Sequence, residues 1–506
     1  MPQKRTRQTT TRRRAAAPTA RPGATPTSRR STQHRATRGA GSARPQAVTP
    51  RTVEPAGVTI NLPGAGEVLL TRRHFLYGMA GLAAAAALGG GGYAYSQFAA
   101  NNDGDVPTLK VPTSAVFTTD DCTEMEDAAT AMVVSAQIEL PYGSLVWSSD
   151  DTIAACLLPT ETSKPLAQIG ILSLTGGTCS TVVENAMGED DGFEIYDVRA
   201  CPNGIIWAEA DILEGLWRIY AATLTDLTVG TPQLVDQGNS DWEMPTLAVA
   251  GSYAFWQMVP KADGPADGER CKVKRAKFGS SDAEEVYTSK GRIPCAPYSA
   301  NDCVVIVARA EVSGTYYQLT RINAESGEAD EALVLPASMK PFEVGYGSTG
   351  FCFAFDGIYN YGDGIANLGT YVPAQDPRDT PVQLTNEVEQ INDKNAGIEA
   401  VMKRAAHESQ LTYGAVNWFR FPRTPGTSPC WCGDWFMVKS TKAIAGINLN
   451  SRQFFALEVE NGTEDYGEFL ASTGERKRIV GFSNIDHKPL SGDTIHQCLV
   501  KVYEAI

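Results

Sequence analysis

The chain has 506 residues and a formal net charge of −14. Residues 1–73 hold fifteen Lys and Arg against two acidic residues, which gives this part +13 and leaves −27 for residues 74–506. An acidic body of this kind argues against nucleic acid or anionic lipid as its ligand and suits cationic or neutral partners. Its length is ample for one large folded domain.

Residues 1–70 form a basic tail that contains no aromatic residue and is built mainly from Arg, Thr, Ala, Pro, Gly and Ser. This composition predicts disorder, because too little apolar surface is available to offset the entropy of ordering. The arginine clusters at 12–14 and 29–30 would suit nucleic acid or an anionic membrane surface. Since no aromatic residues lie between them, we favour the membrane, at about 1 kcal/mol per basic residue, and expect no nucleic-acid partner.

The sequence T-R-R-H-F-L at 71–76 precedes a stretch, 74–102, without a charged residue. It resembles the twin-arginine export signal, whose pattern is S/T-R-R-x-F-L-K. The matching positions are Thr71, Arg72, Arg73, Phe75 and Leu76. The resemblance implies the twin-arginine translocase as partner and export of a folded cargo. The alternative is an ordinary transmembrane helix that follows two arginines.

Residues 71–100 are therefore predicted to be a signal or a membrane anchor helix. A-Y-S at 94–96 is an acceptable cleavage site, but the apolar segment is also long enough to span a bilayer. We favour retention in the cell membrane, with the N-terminus cytoplasmic and the C-terminal domain extracytoplasmic. Cleavage would give a secreted protein.

After an acidic linker at 101–127, residues 128–506 consist of short alternating or β-branched runs divided by turn residues. One sequence pattern recurs every 47–65 residues: a turn followed by a strand with a large apolar residue at its centre. Its centres are Trp147, Trp207, Trp256, Ile306, Phe353, Trp418 and Val480. A period near 40–50 residues predicts a β-propeller, of about seven blades, with six or eight as alternatives. Two stacked β-sandwiches are the rival arrangement.

The turns S-L-T-G-G at 173–177 and I-N-A-E-S-G at 322–327 resemble those of TolB-like propeller families. The apolar run at 128–140 is left over before the first repeat, whereas the last repeat lacks a strand. We therefore predict that residues 128–140 complete the last blade and close the ring. That closure would bring Cys122 near Cys498, and we treat these two as a possible disulfide.

All eleven cysteines lie beyond residue 100, which fits an oxidising compartment. The body has only three histidines, His407, His487 and His496, and no nucleophile or zinc motif. His487 and His496 have Asp486 and Asp493 nearby and could face each other. We expect no catalytic residues, metal or cofactor. The sequence favours a binding or scaffolding module for an envelope protein or glycan; the alternative is a glycan- or peptide-processing hydrolase or lyase on the same fold.

Overall fold

The computed structural model describes the following residues: 57–62, 66–71, 106, 116–118, 121–162, 165–337, 339–347, 350–355, 365–371, 416–422, 427–440, 442–489 and 492–506. Within these residues the secondary structure is β throughout, apart from two single-turn 3₁₀ helices at Ala128–Thr130 and Glu189–Asp191. The predicted all-β class is confirmed. No helix among these residues has the length and apolarity needed to cross a membrane.

Five strands precede the first sheet of the body: β1(Gly57–Leu62), β2(Gly66–Thr71), β3(Val116–Thr118), β4(Thr123–Glu124) and β5(Met132–Pro141). Strands β1 and β2 pair with each other as an antiparallel hairpin. This hairpin lies inside the tail that the composition predicts to be disordered, and the apolar residues near its centre are the few that the tail contains. The other three strands join sheets of the body.

Seven sheets follow along the chain, each built on four antiparallel strands. Sheets 1 and 2 consist of β6(Leu145–Trp147), β7(Ile153–Pro159), β8(Ala167–Ser173), β9(Thr178–Val183), and of β10(Glu194–Cys201), β11(Gly204–Asp211), β12(Leu216–Thr225), β13(Thr228–Val229), β14(Gln233–Gly238). Sheets 3 and 4 consist of β15(Thr246–Ala250), β16(Tyr253–Met258), β17(Cys271–Lys277), β18(Ala283–Ser289), and of β19(Tyr298–Ser299), β20(Cys303–Arg309), β21(Tyr317–Asn323), β22(Ala329–Val334).

The remaining sheets take in the early strands. Sheet 5 consists of β23(Pro341–Gly347), β24(Gly350–Phe355), β25(Ile365–Tyr371), β26(Val416–Pro422) and β3. Sheet 6 consists of β27(Cys430–Cys432), β28(Trp435–Lys439), β29(Ile444–Asn448), β30(Gln453–Ala456), β4 and β32(Glu475–Arg476). Sheet 7 consists of β31(Phe469–Leu470), β33(Arg478–His487), β34(Ile495–Ala505) and β5.

The sheets pack face to face in chain order, and the hydrophobic clusters lie between consecutive sheets. This packing explains why the central strands are apolar on both faces: six of the seven residues of β7 are buried. The side chains of Trp207, Trp217 and Trp256 are fully buried between sheets. They therefore belong to the core, where burying each one contributes about 1.5–3 kcal/mol.

Strand β5 closes the circle. It pairs antiparallel with β34 from Gln497↔Pro141 to Ala505↔Met132, and its other neighbour along the ring is sheet 1. Packed antiparallel sheets that return to the first one form a β-propeller, which leaves no open face at either end of the series. The predicted completion of the last unit by the run at 128–140 is confirmed.

Two of the predicted repeat centres are wrong. Trp207, Trp256, Ile306, Phe353 and Val480 lie on the second strand of a sheet, as the repeat requires. Trp147 instead lies on the first strand of sheet 1, and Trp418 lies on the fourth strand of sheet 5. Residues 372–415 come between β25 and β26 of sheet 5, and this insertion gives Trp418 the spacing of a new repeat. The second strand of sheet 6 is in fact β28.

Candidate functional site

One end of the ring is tied by hydrogen bonds between the turns that join the first and second strands of each sheet; we call it the tight-turn end. Ser149 Oγ donates to Ala200 O at 2.9 Å, which joins sheet 1 to sheet 2. Asn203 Nδ2 donates to Gly251 O at 2.9 Å, and Gly251 N donates to Asn301 O at 3.2 Å. These bonds connect sheets 1 to 4 in series.

Residues 471–476, which we call the crossing segment, run across the tight-turn end. Ser148 N, in sheet 1, donates to Ala471 O at 3.0 Å. Trp431 N, in sheet 6, donates to Gly474 O at 2.9 Å. The segment thus bridges sheets that are not consecutive, and we place the candidate functional site at the opposite, loop end, where longer connections join the strands.

At the loop end of sheet 7 the structure brings one predicted histidine next to an acid. Strands β33 and β34 place Asp486 opposite His496, with Asp486 Oδ1 and His496 Nδ1 3.6 Å apart. Both side chains are 55% exposed. His487 is opposite Ile495 rather than His496, so the two histidines do not pair. His407 lies outside the described residues.

The ring of Tyr142 stacks on His496, with a centroid distance of 3.7 Å and an interplanar angle of 18°. The Tyr142 hydroxyl donates to a carboxylate oxygen of Glu464. Asn484 anchors this arrangement, because its Oδ1 accepts from Gly143 N at 2.9 Å and its carbonyl accepts from Glu464 N at 3.0 Å. We call Tyr142, Glu464, Asp486 and His496 the rim cluster.

A second group lies beneath the same loop, between sheets 6 and 7. Glu468 is 2% exposed, and its Oε1 accepts from Tyr503 OH at 2.8 Å, while its Oε2 has no hydrogen-bond partner within the described part of the chain. Burial raises the pKa of Glu468, against the opposing effects of the Tyr503 hydrogen bond, Lys501 and Lys439. Lys501 Nζ lies 3.3 Å from a carboxylate oxygen of Glu460.

Lys439 is also fully buried, and its Nζ donates to Tyr466 O at 2.7 Å and Glu468 O at 3.2 Å. Neither Lys439 nor Glu468 was predicted from the sequence. A lysine at the end of the apolar run W-F-M-V-K was the available signal, since a charged group rarely ends a buried strand without a partner. Glu468 follows a glycine in a polar loop and gives no such signal.

The two groups offer different chemistry. The rim cluster presents an imidazole and two carboxylates at the surface, an arrangement that can accept hydrogen bonds from a cationic or hydroxyl-bearing ligand. Glu468 is a carboxyl group with a raised pKa and, among the described residues, an unpartnered oxygen, which are properties that proton donors can have. Among the residues that the structure describes, no group of three or more His, Cys, Asp or Glu could hold a metal ion.

The other predicted site residues are not brought together. Cys122 lies beside Arg452 and packs with the cluster between sheets 5 and 6, whereas Cys498 lies on β34 opposite Leu140. Both are free thiols, so the structure contains no Cys122–Cys498 bond. Closure does bring the N-terminal run to sheet 7, but Cys122 precedes β4 and is therefore held at sheet 6.

Of the predicted export signal, only Thr71 is among the described residues, as the last residue of β2. Arg72, Arg73, Phe75 and Leu76 lie outside them, as does the apolar segment that follows. The signal and the anchor helix at 71–100 remain predictions from the sequence.

Comparison with known proteins finds no matching protein-family model and no matching curated protein. Solved structures similar to this chain include a prolyl endopeptidase, with a TM-score of 0.37 and 10% identity over 68% of this chain and 46% of that one. An oligogalacturonate lyase in complex with manganese has a TM-score of 0.37 and 10% identity, over 72% of this chain and 96% of that one. The β-propeller domain of the Trilobed protease from Pyrococcus furiosus has the same TM-score and identity, over 72% and 97%. This chain therefore spans just under half of the length of the endopeptidase.

Proposed function

We propose that the protein is exported by the twin-arginine translocase, stays anchored in the cell membrane, and displays a seven-bladed propeller outside the cytoplasm as a binding or scaffolding module. The T-R-R-H-F-L motif, the uncharged stretch after it and the change from +13 to −27 across it support this topology. The basic tail would remain inside, against the anionic face of the membrane.

The observation that carries the binding function is the rim cluster. It exposes the Tyr142–His496 stack between the carboxylates of Asp486 and Glu464, while the other end of the ring is tied by the crossing segment. Acidic acceptors on a body with a charge of −27 suit a cationic or neutral ligand, such as a basic peptide segment or a glycan of the cell envelope.

Binding of the full-length protein in detergent to peptide and glycan arrays tests this proposal. Hits should be measured again with Asp486→Asn and Glu464→Gln, which remove charge and keep shape. Glu214→Gln is the matched control, because Glu214 is an exposed carboxylate at the loop end of sheet 2. We expect the rim variants to weaken binding about tenfold or more, which is the effect of losing one charged hydrogen bond, and the control to bind normally. Equal binding by all variants would contradict the assignment to the rim.

Protease added to intact cells tests the topology separately. With an epitope tag at each end, we expect the C-terminal tag to be lost and the N-terminal tag to be protected. Replacing Arg72 and Arg73 by Lys should leave both tags protected inside the cell, since the paired arginines are what the receptor reads. The reverse protection pattern would contradict the orientation.

One observation favours the second candidate, a glycan- or peptide-processing hydrolase or lyase. Glu468 combines a raised pKa with an oxygen that has no partner among the described residues, two properties that a general acid can have. Turnover of any array hit should then be abolished by Glu468→Gln with binding retained. If the wild-type protein binds the hit without turning it over, the result supports the first candidate.

A further inference from the structure

The structure assigns a small inorganic anion of the halide class to Arg476, at the centre of the tight-turn end. This site is separate from the rim cluster and does not depend on the proposed function. It rests on the hydrogen bonds, burial and charge of one guanidinium group and on its neighbours in sheets 4 and 7.

Arg476 ends the crossing segment and is 4% exposed. Its Nε donates to Thr473 O at 2.6 Å, and its Nη1 donates to Asn301 Oδ1 and, at 3.3 Å, to Glu475 O. Its Nη2 is buried and has no hydrogen-bond partner among the residues that the structure describes. All three acceptors are neutral oxygens.

Several other guanidinium groups of the ring reach a carboxylate: Arg275 reaches Glu284 and Arg321 reaches Asp330. Arg309 has no carboxylate partner among the described residues, but it lies over the Tyr317 ring, 3.9 Å from the ring centroid. Among the described residues, no carboxylate oxygen lies within 4.0 Å of the Arg476 side-chain nitrogens. A guanidinium does not lose its proton in a protein, so burial cannot neutralise it. A buried charge without a counter-charge is strongly destabilising, and an anion at Nη2 removes that penalty.

The surroundings of Nη2 favour a small anion. A Cβ atom on Gly474 would lie 2.8 Å from Nη2, so the glycine allows the guanidinium to lie against the backbone. Tyr298 is buried beside it, and its hydroxyl donates to Pro429 O at 2.9 Å and accepts from Gly474 N. A single N–H donor group, Nη2, with the Gly474 backbone and Tyr298 close to it suits a monatomic anion better than a branched carboxylate or phosphate.

Thermal unfolding of the full-length protein in detergent tests the assignment. Sodium chloride or bromide is compared with sodium gluconate at equal ionic strength, so that general screening is the same in each series. Because a ligand that binds only the folded state stabilises it by mass action, we expect halide to raise Tm by a few degrees and to saturate. Equal Tm values in halide and gluconate would overturn the site and leave a water molecule as the partner of Nη2.

The variant Asn301→Asp supplies a fixed negative charge at the atom that Arg476 Nη1 already contacts. We expect this variant to lose the halide dependence while remaining folded at low salt. A halide effect of undiminished size in Asn301→Asp would overturn the proposal. Crystals grown in bromide give a direct readout: an anomalous peak beside Arg476 Nη2 supports the site, and a peak only at surface residues contradicts it.

Discussion

Glu468 and Glu209 are both buried carboxylates, but their oxygens are satisfied to different degrees. Glu209 accepts hydrogen bonds from Met187 N, Gly188 N and Trp207 Nε1 at 2.6–2.9 Å, so it acts as a fixed structural acceptor. In the described part of the chain, Glu468 has one donor, Tyr503, and one oxygen without a partner. Burial raises the pKa of both carboxyl groups, but fewer hydrogen bonds oppose the shift at Glu468.

We predict that Glu468 makes the folded state less stable as pH rises. Its pKa is raised in the folded state, so the unfolded chain loses this proton first, and stability falls between the ordinary carboxyl range and the raised pKa. Glu468→Gln should remove this part of the decrease in urea midpoint between pH 4 and pH 8. Glu214→Gln, at an exposed position, should leave the pH profile unchanged; a Glu468→Gln profile that matches the wild type would contradict the prediction.

We predict that Cys179 is the first cysteine to react with a maleimide in the native protein. It is only partly buried, and a hydrogen bond from the Cys156 thiol lowers its pKa, whereas burial raises the pKa of Cys498 to about 12. Since the thiolate is the reactive form, peptide mapping after brief labelling should find Cys179 modified well before Cys498. Cys156→Ala should slow the reaction. Labelling of Cys498 at the same rate would show that the thiols are reached by unfolding.

At the scale of the elements, the second half of β5 alternates between the core and solvent. Ile138 and Leu140 are buried in the cluster that joins sheets 7 and 1, and Gln137 and Glu139 are exposed. The strand is thus held both by its pairing with β34 and by apolar side chains on one face.

Replacing Ile138 by Ala should lower the free energy of unfolding by about 2–5 kcal/mol, because it opens a cavity at the seam of the ring. Gln137→Ala, one residue away on the exposed face, should change it by less than about 0.5 kcal/mol. Urea denaturation of both variants measures the difference. Similar values for the two would show that the β5–β34 pairing is not part of the cooperative structure.

The repeat could be recognised from sequence where the second strand of a sheet carries a large apolar residue and the connections are short, as around Trp207 and Trp256. The prediction is wrong at Trp418, because residues 372–415 separate two strands of sheet 5 and give its fourth strand the spacing of a new repeat. Two of the four residues of the rim cluster could be predicted from the sequence. His496 and Asp486 could be singled out by residue type. Tyr142 meets them only through ring closure, which acts over more than 300 positions of sequence, and Glu464 reaches them through the backbone bond of its loop to Asn484.

At the scale of the whole molecule, stability depends on the pairing of β5 with β34. A chain that begins at residue 115 retains β3, β4 and β5 and should fold like the full-length body. A chain that begins at residue 143 lacks β5 and exposes the edge of β34, so we expect it to aggregate or to unfold at much lower urea. Size-exclusion chromatography and urea denaturation compare the two. Equal stability would mean that the ring needs no closing strand.

The pairing of residues 132–141 with residues 495–505 also sets an order of events in time. The ring can be completed only after residues 495–505 have left the ribosome, so a chain terminated before them keeps an unpaired strand edge on β33. Closure therefore distinguishes a chain that contains β34 from one that lacks it. Under the proposed export route, a translocase that accepts folded cargo would receive closed rings and leave chains without β34 to cytoplasmic proteases.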